Sequence, residues 1–124
     1  MSSAVSEIKR ILVEFNARYD AKMSAVISRS GVPIAWSAPD DALHVEDFAT
    51  LAATLLGASE AIYTGLNQTP PKRVIIESDD GMLMAAGIGA KAFVIALTPA
   101  RTREVDRALE AVTEDVRSVL RGSP

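Results

Sequence analysis

Residues 45–66 read VEDFATLAATLLGASEAIYTGL, and they form the longest helix that this sequence predicts. The stretch follows acidic residues after Pro39 and ends before Pro70-Pro71, because proline lacks the amide donor that a helix interior needs. With about 3.6 residues per turn, one narrow stripe of this helix carries large apolar side chains. Its members are Phe48, Leu51, Leu55, Ile62 and Leu66. We expect this stripe to cover the protein's own sheet.

The same helix has two further faces that a helix on the surface of an isolated domain does not need. One is a second apolar strip, made of Val45, Ala49, Ala52, Leu56 and Tyr63. The other is small or weakly polar and contains Glu46, Thr50, Thr54, Gly57, Ala61 and Thr64. Gly57 in mid-helix costs about 1 kcal/mol relative to alanine, which a close approach of another backbone would explain. We interpret both faces as surface for a second chain, and the alternative is a buried core helix.

Composition narrows the class of protein. The chain has 124 residues, enough for one domain, which we assign to residues 1–124. A net charge of −3 provides no basic field for nucleic acid, and the absence of cysteine excludes disulfides and thiol catalysis. The start MSSAVSEIKR does not resemble a signal peptide, and the apolar residues 82–97 are too short for a membrane span. We therefore expect a cytoplasmic protein without membrane insertion.

The rest of the chain predicts helices at both ends and strands between them. Apolar spacing favours a helix over residues 3–19, and Thr98-Pro99 is typical of the start of the last helix. Residues 23–37 predict a hairpin around Ser30-Gly31, in which Pro33 must occupy an edge or a non-paired position of its strand. Three further strands are expected at residues 73–77, 82–86 and 92–97. The predicted order is α-β-β-α-β-β-β-α, an α+β fold.

Residues that could carry chemistry are few. The single histidine, His44, precedes the central helix and is expected to be exposed or to cap it. Asp79-Asp80, near Glu77, is typical of an acidic turn and lacks the ligand spacing of a calcium loop. Residues 87–91 (GIGAK) join two strands, so they form a turn and not a phosphate loop. Trp36 is expected to be a half-buried sheet residue. We predict no catalytic site, metal or cofactor, and no enzyme.

Three parts of the chain resemble one known family. Residues 25–35 (AVISRSGVPIA) are similar to its first hairpin, and residues 51–66 are similar to its central helix. Residues 74–77, 82–84 and 93–96 are similar to its last three strands. The family is the roadblock/dynein light chain family, in particular its MglB-like members in prokaryotes. The resemblance covers nearly the whole chain, but it lies in pattern and not in a catalytic motif.

The resemblance implies both a fold and an assembly. The fold is a five-stranded antiparallel sheet with the central helix on one face and the terminal helices on the other. The assembly is a homodimer, or a heterodimer with a roadblock-like subunit, in which central helices pair and the third strands join two sheets. The implied interface consists of Val45, Ala49, Ala52, Leu56, Tyr63, Arg73, Val74, Ile75, Ile76 and Glu77.

The resemblance also implies a function, since members of the family bind small Ras-like GTPases as regulators or scaffolds. A non-enzymatic dimeric regulator would receive its GTPase on the small face, at Thr50, Thr54, Gly57 and Ala61. The central helix carries no arginine, which agrees with regulation by rearranging the GTPase. Two alternatives stay open: a structural adaptor subunit without nucleotide-dependent binding, and a PAS-like or profilin-like sensor of small molecules.

Overall fold

The structure is a computed structural model, and it describes residues 3–38 and 44–122. Within these ranges the elements are α1 (Ser3–Tyr19), β1 (Met23–Ser28), β2 (Pro33–Ser37), α2 (Val45–Gly65), β3 (Arg73–Glu77), β4 (Met82–Ile88), β5 (Ala92–Thr98) and α3 (Arg103–Leu120). The strands form one antiparallel sheet in the order β2-β1-β5-β4-β3. The predicted α+β fold is confirmed, and β2 and β3 are the edges of its sheet.

The predicted first hairpin is confirmed, with its turn at Ser30-Gly31. The amide of Ser28 donates to the carbonyl of Val32 at 2.8 Å, and Gly31 has a φ of +92°. Glycine adopts this left-handed conformation without the steric penalty of a side chain. Pro33 opens the edge strand β2 and lies opposite Ile27 beside a register shift in β1, and edge positions and bulges are where a strand tolerates proline.

Helices cover both faces of the sheet as predicted. Helices α1 and α3 share one face, and α2 lies alone on the other within the described ranges. In the central strand β5, Val94 and Ala96 pack towards α1 and α3, while Phe93 and Ile95 pack towards α2. This alternation follows from the period of two in a strand, and it buries β5 on both sides.

The side of α2 that faces the sheet differs from the prediction. Ala49, Ala52 and Leu56 are buried against β1, β4 and β5. Of the predicted stripe, Phe48 packs against this cluster, but Leu51 is 70% exposed and Ile62 is 61% exposed, so the expectation that the stripe as a whole covers the sheet is wrong. The physical reason is that alanines let the helix backbone approach a sheet face already filled by large side chains such as Phe93.

Helix α3 begins four residues later than Thr98-Pro99 would place it. Thr98 is the last residue of β5 and pairs with Met82 of β4, so the sheet retains it. The N-cap is Thr102, whose hydroxyl oxygen accepts a hydrogen bond from the amide of Val105 at 3.0 Å. The predicted cap residue type is correct, but its position is wrong.

The cap gives a first testable prediction. Thr102→Ala should lower the free energy of unfolding by about 0.5–2 kcal/mol, because the amide of Val105 loses its acceptor. Urea unfolding followed by circular dichroism measures the loss. Thr102→Ser keeps a hydroxyl acceptor and serves as the control, with stability close to that of the parent protein. Equal stability of all three proteins would contradict the assigned cap.

Candidate protein-interaction site

Helix α2 presents a row of large apolar side chains to solvent. We name Leu51, Leu55, Ile62 and Leu66 the Leu51 stripe. Leu66, just beyond the helix end, is 66% exposed, comparable to Leu51 and Ile62, while Leu55 is half-buried. Single exposed apolar residues are ordinary on protein surfaces, but a contiguous row marks a binding surface. The stripe therefore defines the first part of a candidate interaction site.

The open edge of the sheet supplies the second part. Among the described strands, β3 is hydrogen-bonded only to β4, from Arg73 opposite Ala86 to Glu77 opposite Met82. Val74 packs against the α2 side of the sheet, so Ile76, two residues later, faces the same way. Ile76 is 43% exposed, and its cross-strand neighbour Leu83 is half-buried. We call Val74, Ile76 and Leu83 the apolar shelf.

The predicted interface must be corrected on α2. Ala49, Ala52 and Leu56 have almost no accessible surface, because they are packed inside the protomer. They hold α2 on its own sheet and leave nothing for a second chain to contact. Val45 is half-buried and Tyr63 is exposed. The surface available on this helix is the Leu51 stripe, which the sequence analysis had assigned to the core.

Side chains of β3 contact α3, while the outer backbone edge of β3 has no partner strand among the described residues. The Nη2 atom of Arg73 lies 2.5 Å from Oε1 of Glu110, and its Nη1 lies 3.7 Å from Oδ1 of Asp106. Ile75 packs against the core cluster on the side of the sheet that α1 and α3 cover. These contacts fix β3 to the α3 side of the protomer. The backbone of β3 is thus held in an ordered position at the edge of the sheet.

The predicted GTPase platform is exposed on α2. Thr50, Thr54, Gly57 and Ala61 all lie at the surface. The hydroxyl of Thr50 donates to the carbonyl of Glu46 at 3.1 Å, and that of Thr54 donates to the carbonyl of Thr50 at 2.9 Å. Because these hydroxyls bond their own helix, the face presented outward is smooth and weakly polar. A Cβ atom at Gly57 would meet nothing within 4 Å, so packing within the protomer does not require glycine there.

An ion pair that the sequence analysis missed fixes the position of α2. The Nη1 atom of Arg29 lies 2.5 Å from Oε1 of Glu60, and its Nε and Nη2 donate to the carbonyls of Ala92 and Gly89. The guanidinium occupies the space beside Gly87, where a Cβ would come within 2.7 Å of Nη2. This contact ties α2 to the β1–β2 and β4–β5 turns. No local sequence pattern predicts it, because the two residues are 31 positions apart.

The remaining candidate residues have structural positions. Asp79 and Asp80 lie in a turn closed by the amide of Ser78 and the carbonyl of Gly81, 2.8 Å apart. His44 is exposed, and its side chain makes no capping hydrogen bond to α2 in the part of the chain that the structure describes. Pro39, and with it the start signal before the central helix, lies outside the described residues.

Residues 3–38 and 44–122 contain no group of three histidine, aspartate or glutamate side chains placed to hold a metal ion. Across the same ranges, none of the helices is both long and apolar enough to span a membrane.

Known proteins share this fold. The Roadblock/LC7 domain profile matches residues 7–98, from α1 to the end of β5. MglB of Myxococcus xanthus superimposes with a TM-score of 0.88 at 12% identity, over 98% of this chain and 92% of that one. The gliding protein mglB of Thermus thermophilus gives 0.88 at 16% identity, over 99% and 95%. A structure titled "MglB with tetrameric arrangement" gives 0.86 at 16% identity, over 96% and 91%.

No curated protein matches the sequence. At these identities the solved structures establish a shared fold. The profile match is a separate finding, and it covers the first hairpin, α2 and the last three strands. The chain therefore belongs to the Roadblock/LC7 domain family.

Proposed function

We propose that this protein is a non-enzymatic dimeric regulator or scaffold of a small Ras-like GTPase. The observation that carries the proposal is the Leu51 stripe lying on the same face of the protomer as the apolar shelf at the open edge strand β3. Within the described residues, neither the stripe nor the strand edge is covered by another element, and a second copy would cover both. The GTPase would bind the outer face of the paired α2 helices.

Pairing of two β3 strands accounts for the open edge. An exposed edge strand invites uncontrolled association, and proteins usually protect it. Two antiparallel copies of β3 about a two-fold axis would satisfy these backbone groups and join the two sheets. The partner's α2 would then lie over the apolar shelf, where its own Leu51 stripe supplies apolar contacts. Burying one leucine or isoleucine side chain contributes about 1.5–3 kcal/mol, so the stripe would offset part of the free energy that association costs.

The platform remains accessible in such a dimer. On a helix with a turn of about 100° per residue, the centre of the face formed by Thr50, Thr54, Gly57 and Ala61 lies roughly 120° away from the centre of the Leu51 stripe. They would therefore face outward on both copies. Residues 45–65 contain no lysine or arginine, so α2 cannot insert a cation into a nucleotide site. This favours regulation through the conformation of the GTPase over an arginine finger.

The oligomer and its partner can be tested together by light scattering. The protein is measured alone and then with a Ras-like GTPase from the same genome, loaded with GTP or GDP. A dimer that binds one nucleotide state supports a regulator. A dimer that binds both states equally supports a scaffold, and a dimer that binds neither overturns the GTPase partner in favour of another adaptor role. A monomer at all concentrations overturns the proposed interface.

Gly57 gives a specific test of the platform. Gly57→Arg should abolish binding of the GTPase, because a long charged side chain would rise from the smooth face, and it should leave the helical circular dichroism unchanged. Gly57→Ala is the matched control. Its Cβ has open space within the protomer, so this variant should fold normally and gain up to about 1 kcal/mol of stability from helix propensity, and its single methyl group should weaken binding far less than arginine does. Normal binding by Gly57→Arg in a pull-down would contradict the platform assignment.

A further inference from the structure

The second edge of the sheet has a groove that the proposed dimer does not use. Sheet order places β2 at the opposite edge from β3. A groove of about 480 Å³ runs between β2 and the first turns of α2, lined by Val32, Trp36, Val45, Glu46 and Thr50 among others. Val32 is 58% exposed and Trp36 is 40% exposed. The two side chains give the groove an apolar wall next to a strand edge.

The strand edge determines the shape of an occupant. Among the described strands, β2 is bonded to β1 alone, so alternate residues of β2 direct their amides and carbonyls away from the sheet. An extended peptide can pair with such groups as an added strand, while alternate side chains enter the adjacent groove. Pro33 has no amide donor, and the carbonyl of Ser37 already accepts a hydrogen bond from Nδ2 of Asn16 at 3.0 Å, so the available edge is limited to residues 34–36 and the amide of Ser37. The occupant is therefore a short extended segment.

Charge determines the chemistry of the occupant. Among the described residues that line the groove, Glu46 alone is charged, and Asp47 beside it is also exposed. A second copy of this chain would place another acidic groove against the first, and like charges at an interface disfavour that pairing. A lysine or arginine on the incoming segment would instead complement Glu46.

We propose that this groove binds a short extended segment of a partner protein, with apolar side chains in alternation and one basic residue opposite Glu46. The site shares Thr50 with the proposed GTPase platform and lies at the opposite edge of the sheet from β3. It would let the protein hold a second partner while its dimer surface is occupied. The proposal does not depend on the GTPase, because it rests on β2, Trp36 and Glu46 alone.

Trp36 is the single tryptophan of the chain and reports directly on the groove. The probe is a capped heptapeptide that alternates valine and threonine and has one central lysine. Binding should shift the tryptophan emission to shorter wavelength in a saturable way, because the indole leaves water. The same peptide with proline at two alternate positions should not bind, since it lacks the backbone donors. Emission that stays unchanged at millimolar peptide would overturn the proposal.

A charge exchange tests the role of Glu46. Glu46→Lys should weaken binding of the lysine peptide by about fivefold, and a peptide with glutamate in place of lysine should regain the loss on this variant. Equal affinities in all four combinations would overturn the assigned chemistry. The double variant Leu51→Asp/Ile62→Asp should bind the peptide as the parent protein does. Failure of the dimer and failure of the groove are therefore separate results.

Discussion

Leu51→Asp combined with Ile62→Asp is expected to convert the proposed dimer into a monomer. Both side chains are mostly exposed in the protomer, so the substitutions remove little of its core. In the dimer, the substitutions would place carboxylates from both copies in one apolar interface. Burying unpaired charges there costs far more free energy than losing the apolar contacts. Light scattering after size-exclusion chromatography should show half the mass of the parent protein. Circular dichroism should show unchanged helix content.

The matched control is Val13→Asp. Val13 is also an exposed apolar residue, 46% accessible, but it lies on α1 on the opposite side of the sheet. This variant should remain dimeric, which separates loss of the interface from a general effect of added charge. A parent-like mass for the Leu51/Ile62 double variant would contradict the interface. Loss of the dimer in the Val13 variant would show that the interface had been assigned to the wrong face.

The order of elements could be predicted from the sequence because its signals are local. Alternation in residues 23–37, the turn at Ser30-Gly31 and the prolines after α2 each act within a few residues of the chain. The start of α3 was misplaced because Thr98-Pro99 has cap chemistry of its own. Thr98 pairs with Met82 across the sheet, and this contact moves the cap of α3 to Thr102. The local sequence pattern contains no sign of that contact.

The orientation of α2 could not be predicted by ranking hydrophobicity. The Leu51 stripe is more apolar than the strip of Ala49, Ala52 and Leu56, so a rule that buries the largest side chains selects the wrong one. Close approach of the helix to Phe93 and Ile95 selects the small residues instead. The sequence correctly indicated that α2 has more apolar surface than one sheet can cover. A rule based on hydrophobicity alone, however, assigns the wrong face of α2 to the sheet.

Phe93→Ala is expected to cause the largest loss of stability among single substitutions of this core. Phe93 is the largest fully buried side chain in the part of the chain that the structure describes, and it lies on the central strand beneath α2. It pairs with Ile27 on β1 and with Gly87 on β4, and Gly87 has no side chain to fill a cavity. The free energy of unfolding should fall by about 3–5 kcal/mol. Urea unfolding at one fixed protein concentration measures it, since a dimer's stability depends on concentration.

Phe93→Leu separates the volume of this residue from its position. Leucine keeps most of the apolar volume, so its loss should stay below about 1.5 kcal/mol. A loss of less than about 1 kcal/mol for Phe93→Ala would show that the site collapses easily and that α2 is not held by this contact. The consequence for binding follows from the same packing. Ala49, Ala52 and Leu56 fix α2 over Phe93, and α2 carries both the Leu51 stripe and the platform. Phe93→Ala should therefore also weaken the dimer, although Phe93 itself is buried beneath α2 and lies outside the proposed interface.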